Sequence, residues 1–257
     1  MAGINIAIDC GTNSCRAGLA DDDEPDVFPA IAAEKRANHP LYVKLSRRKE
    51  SYPPPLIGDE VAQLLRPSGA RGARIRGMHR ISRAKYNNGL VQGDWFAMSA
   101  VYTHVLNRYC ARDRYEAVHL TITTSPFAPR SEREKMAETL FEAKGVGELT
   151  ICLDSFAAGI AETAPGVVGQ GSCVVLDVGI DQTRVSCFQN GCLARKERVD
   201  GVNGSAVEQC VLDTIHQTHP EVEFRSDEHY AAMANVKCTP LGAQLKVIFF
   251  IFIISCD

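Results

Sequence analysis

Three observations predict an α/β fold. Short apolar strands alternate with stretches at helical spacing along most of the chain. Two of the strands end in an Asp-x-Gly turn, Asp9-Cys10-Gly11 and Asp177-Val178-Gly179, and each turn leads at once into another strand. The composition is 45 % hydrophobic and 23 % charged over 257 residues, enough for one large domain or two ordinary ones.

In chain order, "INIAID" (4–9) alternates as a strand and "CRAGLAD" (15–21) returns. "DDDEPD" (21–26) is an acidic loop. From Ala32 to Lys85 the chain is rich in Pro, Gly and Arg. Residues 66–85 hold seven Arg or Lys and no acid, read as a solvated loop or small peripheral subdomain rather than an anion site. "DWFAMSAVYTHVLNRYC" (94–110) has apolar residues at helical spacing, with Asp94 placed as N-cap. "AVHLTITT" (117–124) is a strand. "SEREKMAETLFEAKG" (131–145) reads as a helix with a Ser131/Glu134 capping box and an end at Gly145. A strand at 148–154 and a short helix, "SFAAGIAETA", follow. "VVLDVGIDQTRV" (174–185) holds the second Asp-x-Gly turn, and Asn190-Gly191 marks a hairpin after it. Two amphipathic helices, 204–219 and 226–238, come next.

Net charge is −3, so no overall field draws the chain to nucleic acid or a membrane. The N-terminus lacks a basic region before its first strand, so no secretory leader is expected. Ten cysteines without Cys-x-x-Cys read as reduced, mostly buried thiols. Cys187, Cys192, His216 and His219 fit zinc spacings poorly, and the hairpin explains the first two better.

Paired Asp-x-Gly turns can hold a nucleotide's phosphates. Backbone N–H groups bond the oxygens, glycine lets the chain approach closely, and the carboxylates hold Mg²⁺ through water. "IDCGTNSCRAGLADDDEPDVFPAI", "SYPPPLIGDEV", "GLVQGDWFAMSAVYTHVL" and "LTITTSPFAPRSEREKMAETLFE" together resemble segments of actin and the actin-related proteins, in the family's order. The resemblance implies an actin-like (ribonuclease-H-like) fold of two α/β domains around an ATP cleft. It implies a first domain at 1–31 and 86–166, an inserted subdomain at 32–85 and the start of a second domain at 167–245. The resemblance stops near "ANVKC", so that second domain is expected to be incomplete.

Carried over residue by residue, Asp9, Gly11, Thr12, Asn13 and Arg16 stand at the first phosphate loop. Asp177, Gly179, Asp181 and Thr183 stand at the second, with Asp9 and Asp177 as the carboxylates toward hydrated Mg²⁺. Several positions depart from the family. Asn13 replaces a glycine, Ile180-Asp181 replaces Asp-Gly, and Arg184 replaces a histidine. Asp154 falls where a water-positioning glutamine is expected, which makes it the candidate catalytic residue. Asp154, Asp181 and Arg184 point to slow or absent hydrolysis. The resemblance implies ATP and Mg²⁺ as ligands. It implies other actin-like subunits or a multiprotein complex as partners, with no direct nucleic acid or membrane contact, in the cytoplasm and cytoskeleton or the nucleus. The alternatives are a scaffold that binds no nucleotide and a sugar-kinase-like phosphotransferase. Residues 246–257, with an all-apolar run at 247–254, read as a tail foreign to the fold and prone to aggregate. The alternative for the tail is a packed strand.

Overall fold

The computed structural model describes residues 3–12, 14–35, 55–61, 75–80, 86–87, 90–91, 95–162, 172–221 and 251–256. The chain divides into two compact units. The first comprises Met1–Ile122 and Pro129–Ile151, the second Thr123–Ala128 and Cys152–Asp257.

The first unit is built on a meander. Strand β1 (Ile4–Cys10) alternates as expected and buries Ile6, Ile8 and Cys10. It turns into β2 (Ser14–Leu19), which pairs antiparallel with β1 and then with β3 (Asp26–Pro29). On the other edge of β1 lies the parallel strand β9 (Val118–Thr124), with β10 (Glu148–Leu153) beyond it. Helix α1 (Trp95–Tyr109) presents Met98, Val101, Tyr102, Val105 and Leu106 to this core. Their spacing is one face of a helix, so a single stripe meets the sheet. The expected N-cap, Asp94, lies outside the described residues.

Within the stretch from Ala32 to Lys85, β4 (Ile31–Lys35) is the middle strand of a small sheet. Strand β5 (Leu56–Ile57) lies on one side and β6 (Ile75–Arg80) on the other. A short pair, β7 (Tyr86–Asn87) and β8 (Leu90–Val91), precedes α1.

Helix α2 spans Arg130–Glu138 and corrects the capping-box expectation. Pro129 is its N-cap, Ser131 already lies inside the helix, and no side chain caps it. Glu134 instead accepts from Arg130 Nε at 2.8 Å. The proline's fixed φ starts the helix early, which leaves Ser131 no capping role. The helix continues as a wider turn over Thr139–Ala143 and ends at Gly145, whose φ is +72°, as expected.

The second unit repeats the meander. Strand β11 (Ser172–Val178) turns into β12 (Thr183–Gln189), which turns at Asn190-Gly191 into β13 (Cys192–Val199). Positive φ at both Asn190 (49°) and Gly191 (74°) is the mirror-image turn that suits the twist of two strands. Helix α3 (Asp154–Glu162) precedes the meander and α4 (Gly204–Thr218) follows it. Asn203 caps α4 by accepting the Ala206 N–H at 2.9 Å. The expected helix at 226–238 lies outside the described residues.

Two expectations are corrected here. Ile251–Cys256 of the apolar tail forms β14, which pairs antiparallel along β11 from Asp177↔Ile251 to Ser172↔Cys256. The segment is therefore part of a sheet and not foreign to it. A run of β-formers meets the edge of β11, whose N–H and C=O groups would otherwise be unpaired on that side. The cysteines are less buried than expected. Of the eight described, all free, Cys10, Cys15 and Cys110 are buried, while Cys192 and Cys210 are exposed.

Two glycines near the end of α2 separate conformation from contact. A Cβ on Gly145 would meet nothing within 4 Å, so its positive φ alone demands glycine. A Cβ on Gly147 would lie 2.1 Å from the backbone oxygen of Glu116. Gly145→Ala should therefore cost about 1 kcal/mol, and Gly147→Ala about 3 kcal/mol, because backbone must move. Urea midpoints of the two variants measure this, and equal losses would contradict it.

Candidate functional site

The two Asp-x-Gly turns share one design. In the first, Asp9 on β1 lies opposite Arg16 on β2, and Arg16 Nη1 donates to Asp9 Oδ2 at 3.2 Å. In the second, Asp177 on β11 lies opposite Arg184 on β12, and Arg184 Nη2 donates to Asp177 Oδ2. Between each acid and its arginine, the glycine N–H closes the turn. Gly11 donates to Ser14 O at 3.0 Å and Gly179 to Gln182 O at 2.9 Å. A Cβ on either glycine would stand 3.0 Å or 2.9 Å from that same oxygen. Neither glycine has positive φ, so close approach across the turn is what requires them.

The surroundings of the two turns differ. Arg16 and Asp9 are 54 % and 36 % exposed, an ion pair in solvent worth about 0–1 kcal/mol. Arg184 is only 13 % exposed and is the hub of a network. Its Nη1 donates to Asp154 Oδ2 at 2.9 Å and to Ser125 Oγ at 2.8 Å, while Nη2 holds Asp177. Asp154 opens α3, and its other oxygen accepts the Ser155 N–H at 2.7 Å. Burial alone would lower the pKa of Arg184. Attraction to Asp154, then to Asp177, outweighs it and raises the value, so the guanidinium stays charged.

Among the described residues of this unit, four side-chain polar atoms are buried without a hydrogen-bond partner: Thr124 Oγ1, Ser155 Oγ, Gln182 Oε1 and Arg184 Nε. Thr124 and Ser155 neighbour the hub's own partners in sequence, and Gln182 is two residues from the hub. An unsatisfied buried group costs about 1–3 kcal/mol.

The start of α4 clamps the second turn. Gly204 N–H donates to Gly179 O at 2.9 Å and Ser205 N–H to Ile180 O at 2.7 Å. Asn203 Nδ2 donates to Asp181 O at 2.9 Å. A Cβ on Gly204 would come within 3.0 Å of Ile180 Cα, so this contact needs glycine too. Thr183, a candidate of the second loop, is 3 % exposed, and its hydroxyl donates to Val202 O. Asp181 sits half-buried in the clamped turn, Thr12 half-buried in the first, and Asn13 lies outside the described residues.

Of the sequence candidates, the structure joins Asp154 and Asp177 through Arg184. Sequence reasoning missed Ser125, Asn203, Gly204 and the hub role of Arg184. One signal was legible, the repeat of Asp-x-Gly followed by arginine at the seventh position after the acid.

Two strand-turn-strand units flanked by helices are consistent with an actin-like α/β fold. The actin family model matches residues 4–246, and the chain belongs to that family. It is 28 % identical to centractin of Saccharomyces cerevisiae over 114 residues, which cover 43 % of this chain and 29 % of that protein. It is 24 % identical to actin-related protein 4 of Arabidopsis thaliana over 233 residues, covering 87 % of this chain and 51 % of that protein. With actin-related protein 4 of Oryza sativa subsp. indica it shares 22 % identity over 237 residues, covering 87 % and 52 %. The chain thus spans about half the length of the actin-related protein 4 relatives it matches.

The contrast between the two arginines is measurable. Arg184→Ala leaves two half-buried carboxylates uncompensated and should cost about 3–5 kcal/mol of stability. Arg184→Lys should recover only part, because one ammonium cannot reproduce the fork. Arg16→Ala should cost under about 1 kcal/mol. Denaturant unfolding of the three variants tests this, and similar losses at Arg16 and Arg184 would refute it.

Proposed function

We propose that this actin-family chain serves as a complex-forming, actin-related structural protein. On this reading it binds nucleotide phosphate weakly at its first Asp-x-Gly turn and hydrolyses ATP slowly or not at all. The observation that carries the proposal is Arg184 bridging Asp154 and Asp177. Asp154 is the only acid offered as a base, and its Oδ2 is held by a cation while its Oδ1 accepts a helix N–H. A base must be free to take a proton from a positioned water. Asp154 is therefore a positioning residue in this reading and not a catalytic one.

Phosphate would be taken by the first turn, Asp9 to Arg16, where Gly11 allows close approach beside Thr12; Asn13, the other candidate of this turn, lies outside the described residues. Arg16 is exposed enough to leave Asp9 for a phosphate oxygen. At the second turn Gly179 offers close approach, while Asp181 and the net negative charge of the Asp154, Asp177 and Arg184 trio repel a polyphosphate. That repulsion also favours a second reading, a scaffold that binds no nucleotide.

Actin-like subunits or a larger protein assembly are the proposed partners, in the cytoplasm, the cytoskeleton or the nucleus. No helix among the described residues is long and apolar enough to cross a membrane. A sugar-kinase-like transfer finds no support, since Asp154 is engaged.

Equilibrium binding of labelled ATP, followed by a single-turnover assay on the bound fraction, tests the proposal. ATP should bind weakly, Arg16→Ala should weaken it about tenfold, or about 1.4 kcal/mol, and bound ATP should stay intact. Rapid release of phosphate would reject the account of Asp154, and no binding at all would select the scaffold.

A further inference from the structure

We infer that Arg184 occupies the electrostatic place of a divalent cation at the second turn and keeps Mg²⁺ out of it. The inference rests on reading that turn as part of the site proposed above. The resemblance implied Asp177 as one of two carboxylates for hydrated Mg²⁺, and the residues present do not fit that role.

Mg²⁺ binds through carboxylate oxygens, either directly or through its own waters. Asp177 Oδ2 is already held by Arg184 Nη2, and the nearest other acid of the network, Asp154, is held by Nη1 at 2.9 Å. A metal at Oδ2 of Asp177 would have to displace its hydrogen bond to Arg184. It would also sit beside a guanidinium that is 13 % exposed. Arginine does not escape by losing a proton. Both carboxylates keep it protonated, so a divalent cation at Asp177 meets a fixed positive charge at short range that the two acids offset only in part. Nor can Arg184 swing aside cheaply, because Ser125 Oγ anchors it at 2.8 Å and leaving would strand two carboxylates. Asp9 is different. Its partner Arg16 is 54 % exposed and can be exchanged for a hydrated ion. The two turns have the same register and different electrostatics, so metal dependence should be lost at one turn and not demanded by the other. Any nucleotide binding should then need no Mg²⁺ at Asp177.

The test uses the full chain at matched ionic strength. Mn²⁺ is titrated and followed by electron paramagnetic resonance. The wild type should show no Mn²⁺ that depends on Asp177, so wild type and Asp177→Asn should give the same titration. Arg184→Gln should gain a site at least tenfold tighter, and Arg184→Gln/Asp177→Asn should lose it. Melting gives a second readout, since a cation that binds the native state raises Tm. Any Mg²⁺-dependent change in Tm should be the same in wild type and Asp177→Asn, while Arg184→Gln should gain a further rise in Mg²⁺. Mn²⁺ bound by the wild type and released by Asp177→Asn would overturn the inference, as would a Mg²⁺-dependent rise in wild-type Tm lost in Asp177→Asn. If Arg184→Gln fails to fold by circular dichroism, the comparison of wild type with Asp177→Asn still decides. ATP affinity unchanged by chelator supports the inference, and affinity lost in chelator in an Asp177-dependent way opposes it. Absence of ATP binding counts against the proposed nucleotide site alone, with the Mn²⁺ arm still deciding about Arg184.

Discussion

A guanidinium that cannot lose its charge, shared between two carboxylates, governs the second unit. Arg184 lies in β12, Asp177 opposite it in β11, Asp154 at the start of α3, and Ser125 in the segment after β9. One side chain thus ties a hairpin, a helix start and a connecting segment. Burying three charges is costly unless geometry and hydrogen bonds return the loss. The return here comes from the planar fork, which satisfies both acids, and from the Ser155 N–H on the second oxygen of Asp154. Lys196 reinforces the same segment. It donates to Pro126 O at 2.7 Å and lies 4.9 Å from the Phe127 ring.

The two meanders show how one local plan gives two chemistries. Acid, glycine and arginine recur at the same spacing, and both glycines are fixed by the same close approach to a turn oxygen. In the first turn the ion pair is open to solvent and weak, so its parts can be exchanged for a ligand. In the second, burial and the added acid turn the pair into a structural fastener. The clamp from Gly204 and Ser205 onto Gly179 and Ile180 further limits how that turn can move.

Much of this was legible in the sequence. Alternation predicted β1 and β9, helical spacing predicted α1, and Asn190-Gly191 predicted the hairpin, because each depends on neighbours a few residues apart. The cross-strand pairing of Asp177 with Arg184 follows from the hairpin register as well. The rest depends on contacts between distant segments. Asp154 is 30 residues from Arg184 and Ser125 is 59, and no spacing rule links them. The sequence leaves the tail open between an aggregating end and a packed strand, because a hydrophobic run does not say which sheet edge it will meet, and β11 offers one. The capping box failed for a local reason, since Pro129 begins α2 ahead of Ser131.

The most direct test is a double-mutant cycle on Arg184→Gln and Asp177→Asn, read as unfolding free energies. Both replacements keep approximate shape while removing charge. If the arginine is the built-in counter-ion of Asp177, the two losses should be strongly non-additive, with a coupling above about 1 kcal/mol. Losses that add to within about 0.3 kcal/mol would show that the two groups act independently, and would contradict the account.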